Sequence, residues 1–117
     1  MTLLNRETIL AAQDVQYETV AVPEWGGEVR VRAISAAARD DLEQAAYAAH
    51  TAKQPFRNMR ARMVALCVVG EDGKPVFTGQ DIETLGEKSA AALDRVYAAA
   101  ARLNAITDSD IKELEKN

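Results

Sequence analysis

The side chains best suited to chemistry in this sequence are few and scattered. There is one imidazole, His50, and one thiol, Cys67. Nucleophilic catalysis needs a hydroxyl or thiol beside a base that a third group orients. His50 falls near the end of an alanine-rich stretch with helical spacing, where a cation complements the helix dipole. Cys67 sits in Met63-Val64-Ala65-Leu66-Cys67-Val68-Val69, an apolar run that buries a thiol and raises its pKa. Neither reads as reactive. Asp40, Asp41 and Glu43 read as first-turn helix charges, and Asp108 and Asp110 as capping residues, rather than as paired carboxylates in a cleft. No EF-hand spacing is present. One cysteine and one histidine exclude an internal disulfide, a cysteine-cluster zinc site and the usual mixed His/Cys metal sites. Gly70 to Lys74 places a lysine after a glycine but lacks the spacing of a P-loop and its following Ser/Thr. These residues predict no catalytic, cofactor or metal site, and no enzyme.

Binding leaves a different trace. The net charge of −4 argues against a generally basic nucleic-acid binder. Charge is nevertheless blocked along the chain: residues 51–69 carry Lys53, Arg57, Arg60 and Arg62 and no acid, between two acidic segments. Arg57 and Arg60 are predicted on one helix face with Arg62 pointing elsewhere. They form either a docking surface for an acidic partner or ordinary pairs with Asp and Glu of adjacent helices. Phosphate binding would call for a broader basic face. Trp25, the sole tryptophan, falls in a predicted turn. It either anchors a partner or folds back to cover the core. Trp25, Arg57 and Arg60 are therefore the candidate partner-binding residues.

The elements that must position these residues follow from periodicity. A length of 117 residues allows one domain with a normal core, here 1–12, 15–34 and 35–117 as consecutive parts of one unit. Thr2 to Ala12 has a short helical pattern. Val15 to Val22 and Glu28 to Ile34 alternate, with Val29, Val31 and Ala33 opposite Arg30 and Arg32; Pro23-Glu24-Trp25-Gly26-Gly27 joins them as a β-hairpin. Ser35 is the predicted N-cap of a helix to about Ala52, whose stripe is Ala38, Leu42, Ala45, Ala46 and Ala49. Pro55 breaks it. A second helix is predicted from Pro55 or Phe56 to Val69 as the central buried one. Asp72-Gly73 predicts a second short hairpin with Val68-Val69 and Val76-Phe77 as arms. Thr78 opens a short helix ending near Gly86, Ser89 caps another through Leu93, Val96, Tyr97, Ala100 and Leu103, and Asn104 closes it. Thr107 with Asp110 caps a last amphipathic stretch. The fold class is α+β, mainly helical, with five to six helices and an N-terminal hairpin.

Alanine makes up about a fifth of the chain and aromatics only 5%. Small side chains give thin, closely approaching helices with shallow cores, so contact with another chain is a natural source of further burial. Self-association is expected on this ground. No apolar run approaches the roughly 20 residues that span a bilayer, and the N-terminus has no basic segment followed by an apolar core. A soluble, cytoplasmic protein is the expectation, without a membrane partner.

The ordered set of segments resembles the tail assembly chaperones of long-tailed (siphovirus-type) bacteriophages and prophages. The resemblance rests on Val20-Ala21-Val22-Pro23-Glu24-Trp25-Gly26 leading to Val29-Arg30-Val31-Arg32, then Ile34-Ser35-Ala36-Ala37-Ala38-Arg39-Asp40. It continues through Arg62 to Val69, Asp72-Gly73 with Val76-Phe77-Thr78, Asp81 to Gly86, and Lys88 to Arg95, ending at Leu103-Asn104. It covers nearly the whole length, and its specificity lies in the order because no single piece is a catalytic signature. The resemblance implies a non-enzymatic helper that binds the helical tape-measure protein and recruits major tail subunits. It would act in the cytoplasm of the bacterial host and be absent from the mature virion. Many such proteins exist in two forms related by a ribosomal frameshift, and the ending Glu113-Leu114-Glu115-Lys116-Asn117 suits the shorter. A small helical adaptor, or less readily a nucleic-acid-binding accessory protein, is the alternative.

Overall fold

The computed structural model describes residues 2–105 and 108–116, with side-chain surroundings for 2–105 and 111–115. Its centre is α3 (Met59–Cys67), which buries Met59, Ala61, Met63, Val64, Ala65 and Cys67. A helix apolar on nearly all sides must be covered on nearly all sides. The cover comes chiefly from α5 (Ala90–Leu103) and α4 (Ile82–Gly86), with the turn at Gly79–Asp81 beside them. On α5, Ala92, Leu93, Val96, Ala99 and Ala100 are buried, with Tyr97 and Leu103 half-buried at the margin.

The first strands, β1 (Tyr17–Val22) and β2 (Gly27–Arg32), form the antiparallel hairpin that their alternation predicts, with Tyr17 opposite Arg32 and Val22 opposite Gly27. Pro23–Trp25 makes a single 3₁₀ turn between them, and Gly26 closes it at φ 78°, a left-handed conformation that favours glycine. Val22 and Val31 are fully buried on the face that meets α5, and Val20 and Val29 are half-buried beside them. The other face carries Tyr17, Thr19, Ala21, Arg30 and Arg32. There the Arg30 guanidinium lies 4.4 Å from the centre of the Tyr17 ring.

Two ion pairs bridge the hairpin and α5 at the surface. Arg102 meets Glu18 at 2.7 Å, and Arg95 meets Glu24 at 3.0 Å. The Glu24 carboxyl is held below the usual carboxylate range, first by a hydrogen bond from its backbone N–H and then by Arg95.

The predicted second helix is shorter than its periodicity suggests. Residues 52–58 form an irregular connection in which Lys53 and Asn58 take left-handed backbone conformations, so α3 begins only at Met59. At the other end Val68–Val69 leave the helix as β3 and pair with β2 through Val31↔Val68 and Arg30↔Val69. The sheet is three-stranded in the order β1-β2-β3. β-Branched valines suit a strand better than a helix end, and here the neighbouring β2 supplies the ladder. The second hairpin is accordingly rudimentary. Its turn forms at 70–74, with Gly73 at φ 78° and Asp72 Oδ1 accepting from the Lys74 N–H at 3.0 Å. Its return arm makes one bridge, Val69↔Pro75, and a 3.2 Å bond from Val76 N–H to the Val68 carbonyl.

The remaining helices match their caps. The Ser35 hydroxyl accepts from Ala38 N–H at 3.1 Å and starts α2 (Ala36–Thr51), whose buried side holds Leu42 and Ala46. Its first turn carries no acid: Asp40, Asp41 and Glu43 lie one turn further in, where Glu43 pairs with Arg39 at 3.3 Å. Thr78 and Asp81 form the capping box, which opens a 3₁₀ turn at Gly79–Asp81 running into α4. Ser89 caps α5 by accepting from Ala92 N–H.

The last helix, α6 (Asp108–Lys116), rests Ile111 and Leu114 against the core beside α2. Thr107, the predicted cap partner of Asp110, lies outside the described residues. The first helix, α1 (Arg6–Ala11), is shorter than predicted, starts at the cap Asn5 and buries nothing.

Candidate partner-binding surface

The three residues singled out from the sequence are not brought together as one site. Arg57 lies in the connection before α3 rather than on its face, because the chain becomes helical only after Asn58. Its side chain is exposed, while its carbonyl accepts from Arg62 Nε at 2.9 Å. Arg62 in turn stacks over Phe56, 4.6 Å from the ring centre, so the connection is folded around it. Arg60 is on α3 and turns to α5. There it pairs with Asp94 at 2.7 Å and lies 5.7 Å from the Tyr97 ring centre. Trp25 ends the hairpin turn half-buried against the core. Arg60 is thus paired with an adjacent helix while still largely exposed, and Trp25 rests part-way into the core.

The residues considered for chemistry are structurally engaged or isolated. Burial pushes the Cys67 thiol up to about 11, outweighing the opposing effects of the Asn104 amide, 3.7 Å from Sγ, and of Arg32. A thiol that stays protonated is a poor nucleophile. His50 is exposed at the end of α2, where its carbonyl accepts from the Lys53 N–H at 3.0 Å. It lines an open cleft of about 900 Å³ between α2 and α6, together with Tyr47, Glu43 and Glu113. No group of three or more metal-ligating side chains occurs among the described residues, and none of their helices is long and apolar enough to cross a membrane.

Two surfaces that sequence reasoning passed over stand out instead. One is the N-terminal arm: Leu3 is 96% exposed, Leu4 64%, Ile9 55% and Leu10 68%. Spacing along the chain gives no sign of this, because Leu3 and Leu10, seven residues apart, fall within about 20° of each other on a helix and read as one face. The other is an apolar groove of about 200 Å³ lined by Leu42, Ala45, Ala65, Leu66, Phe77 and Ile82, with Arg32, Arg62 and Asp41 at its edges. Arg32 is held there by donating to the Leu66 carbonyl at 3.3 Å from both Nε and a terminal nitrogen. No sequence signal marks the groove, since its walls come from α2, α3, the β3 loop and α4.

The arrangement offers contact surfaces on the arm and along the groove. Comparison with known proteins points the same way. The family model described as phage tail assembly chaperone matches residues 5–117. Among curated proteins none matches. Among solved structures, that of the bacteriophage HK97 tail assembly chaperone superposes with a TM-score of 0.58 at 23% identity, covering 87% of this chain and 95% of that one. At that identity the likeness is one of fold.

Proposed function

The chain belongs to the phage tail assembly chaperone family, and from that premise we propose that it binds the tape-measure protein and recruits major tail subunits during tail morphogenesis. The observation that carries this reading is the arm. Four large aliphatic side chains stand in water on a segment that buries none of its own residues. Such a segment gains its burial from other chains, as a protein that shields apolar helices must. Elsewhere on the molecule, exposed positions such as Tyr47 on α2 and Val76 after the 70–74 turn add to the apolar surface available to a partner. The protein acts by reversible contact and without a catalytic centre, in the cytoplasm of the bacterial host, and leaves before the virion is complete.

Self-association accompanies this role, since repeated weak contacts along an extended client multiply into firm retention. Arg57 contributes as an exposed cation, whereas Arg60 and Trp25 contribute through the surfaces they hold in place. Co-expression with the tape-measure protein tests the reading. The tape measure remains in the soluble fraction and co-purifies with the chain; a tape measure that is insoluble with or without the chain overturns it. Replacing Leu3, Leu4, Ile9 and Leu10 by Ser reduces the soluble yield, while Arg57→Glu has a smaller effect. A salt-dependent shift of duplex DNA by the purified chain would favour the accessory-protein alternative.

A further inference from the structure

We propose that the groove between α2, α3 and α4 is a docking site for a short segment of another protein that presents a bulky apolar side chain beside a carboxylate. It is a surface separate from the arm, none of whose described residues lines it. Its walls are apolar, and Ala45, Leu66, Phe77 and Ile82 remain only half-buried there. The volume of about 200 Å³ lies below the 300–1,000 Å³ typical of small-molecule sites. It exceeds the ~150 Å³ cavity that admits a benzene ring, so a single aromatic or branched aliphatic side chain fits it.

The rim determines what must accompany that side chain. Acids outnumber bases in this chain, 18 to 14, and Arg39, Arg60, Arg95 and Arg102 each meet a carboxylate at 3.3 Å or less. Arg32 and Arg62 flank the groove and meet none among the described residues. Each is held instead by a backbone carbonyl, Arg32 by that of Leu66 at 3.3 Å and Arg62 by that of Arg57 at 2.9 Å. The Phe56 ring centre lies 4.6 Å from the Arg62 guanidinium. A guanidinium has five N–H donors, so both keep donors for an incoming carboxylate, and holding them in advance lowers the entropy lost on binding. Asp41 is the one acid among the lining residues. It repels a carboxylate at its own edge, which leaves the rim a net +1 and gives the segment a preferred direction.

Fluorescence anisotropy with the full chain tests this, using a short fluorescein-labelled peptide in which a leucine and a phenylalanine are flanked by aspartates. The wild-type chain binds it with a dissociation constant below about 1 mM. With asparagine in place of each aspartate the peptide binds at least about threefold more weakly, and with serine in place of leucine and phenylalanine it does not bind. Arg32→Gln combined with Arg62→Gln removes the preference for aspartate over asparagine and leaves the asparagine peptide bound within about twofold of wild type, a pattern that general loosening of the fold would not produce. Asp41→Asn tightens binding of the aspartate peptide. Ala45→Phe fills the groove without changing its charge and abolishes binding of both peptides. If that variant does not fold, Phe77→Ser replaces it, with the melting temperature as the check.

Absence of binding at that concentration overturns the proposal. So does a chain without preference between the two peptides, a preference that survives loss of both arginines, or binding untouched by the groove variant. A peptide that binds only after Ile9→Asp and Leu10→Asp have disabled the arm overturns it too, and makes the groove a seat for the chain's own N-terminus. A groove that fails in any of these ways leaves the tape-measure reading, which is carried by the arm, to its own co-expression test.

Discussion

Asn104 ties three elements together with one side chain. Its Oδ1 accepts from the Ile34 N–H at 2.7 Å, its Nδ2 donates to the Ala100 carbonyl at 2.7 Å, and the same Nδ2 lies 3.7 Å from Cys67 Sγ. The sequence shows Asn104 only as the end of a helix; its bond to residue 34 depends on a fold that brings the end of α5 beside the exit of β2. Asn104→Ala leaves the half-buried Ile34 N–H without its acceptor, which costs about 1–3 kcal/mol in urea unfolding. Cys67 gives a pH dependence. Its folded-state pKa is raised from the ordinary 9.0 to about 11, so above pH 9 the unfolded thiol loses its proton while the folded one keeps it. The unfolded state then binds fewer protons, and this contribution to stability is complete below pH 9 and lost between 9 and 11. Its size is about 2–3 kcal/mol. The stability difference between wild type and Cys67→Ala, measured from pH 8 to 11, shrinks by that order.

At the scale of elements, what holds the hairpin on α5 is apolar burial more than charge. The Arg102–Glu18 pair is largely exposed, with side chains 63% and 36% accessible. Such pairs contribute about 0–1 kcal/mol and weaken with salt. Val31 is fully buried between sheet and helix. Urea unfolding of Arg102→Gln shows a loss under about 1 kcal/mol, and of Val31→Ala about 2 kcal/mol or more. Legibility follows the same division. α2, α5 and the hairpin were readable because each buries one periodic face that local spacing reveals. The ends of α3 were not. Val68 and Val69 become a strand because β2 lies alongside, and Lys53 gives no local sign of a left-handed backbone. Asn58 does give one, since asparagine tolerates that conformation. Misplacing the start of α3 is what put Arg57 on a helix face, and the Arg60–Asp94 pair depends on contact between α3 and α5 that spacing along the chain does not supply.

For the whole molecule, the arm and the body are energetically separate. With a Cα radius of gyration of 15.5 Å, the chain is broader than the ~13 Å expected of a compact globule of this length. Because α1 buries nothing, Ile9→Asp with Leu10→Asp leaves the thermal midpoint within about 2 °C of wild type at dilute concentration, where one kcal/mol would move it by about 4–8 °C. A larger drop in differential scanning calorimetry would mean that the arm supports the core after all. The sealed position of Cys67 has a practical side as well. The chain's one sulfhydryl is shut away and protonated at neutral pH, so a cysteine introduced at Leu3 or Arg57 becomes the sole place a maleimide dye or nitroxide attaches in the native state. Reporters can therefore be sited one at a time on arm or loop with the natural thiol left where it is.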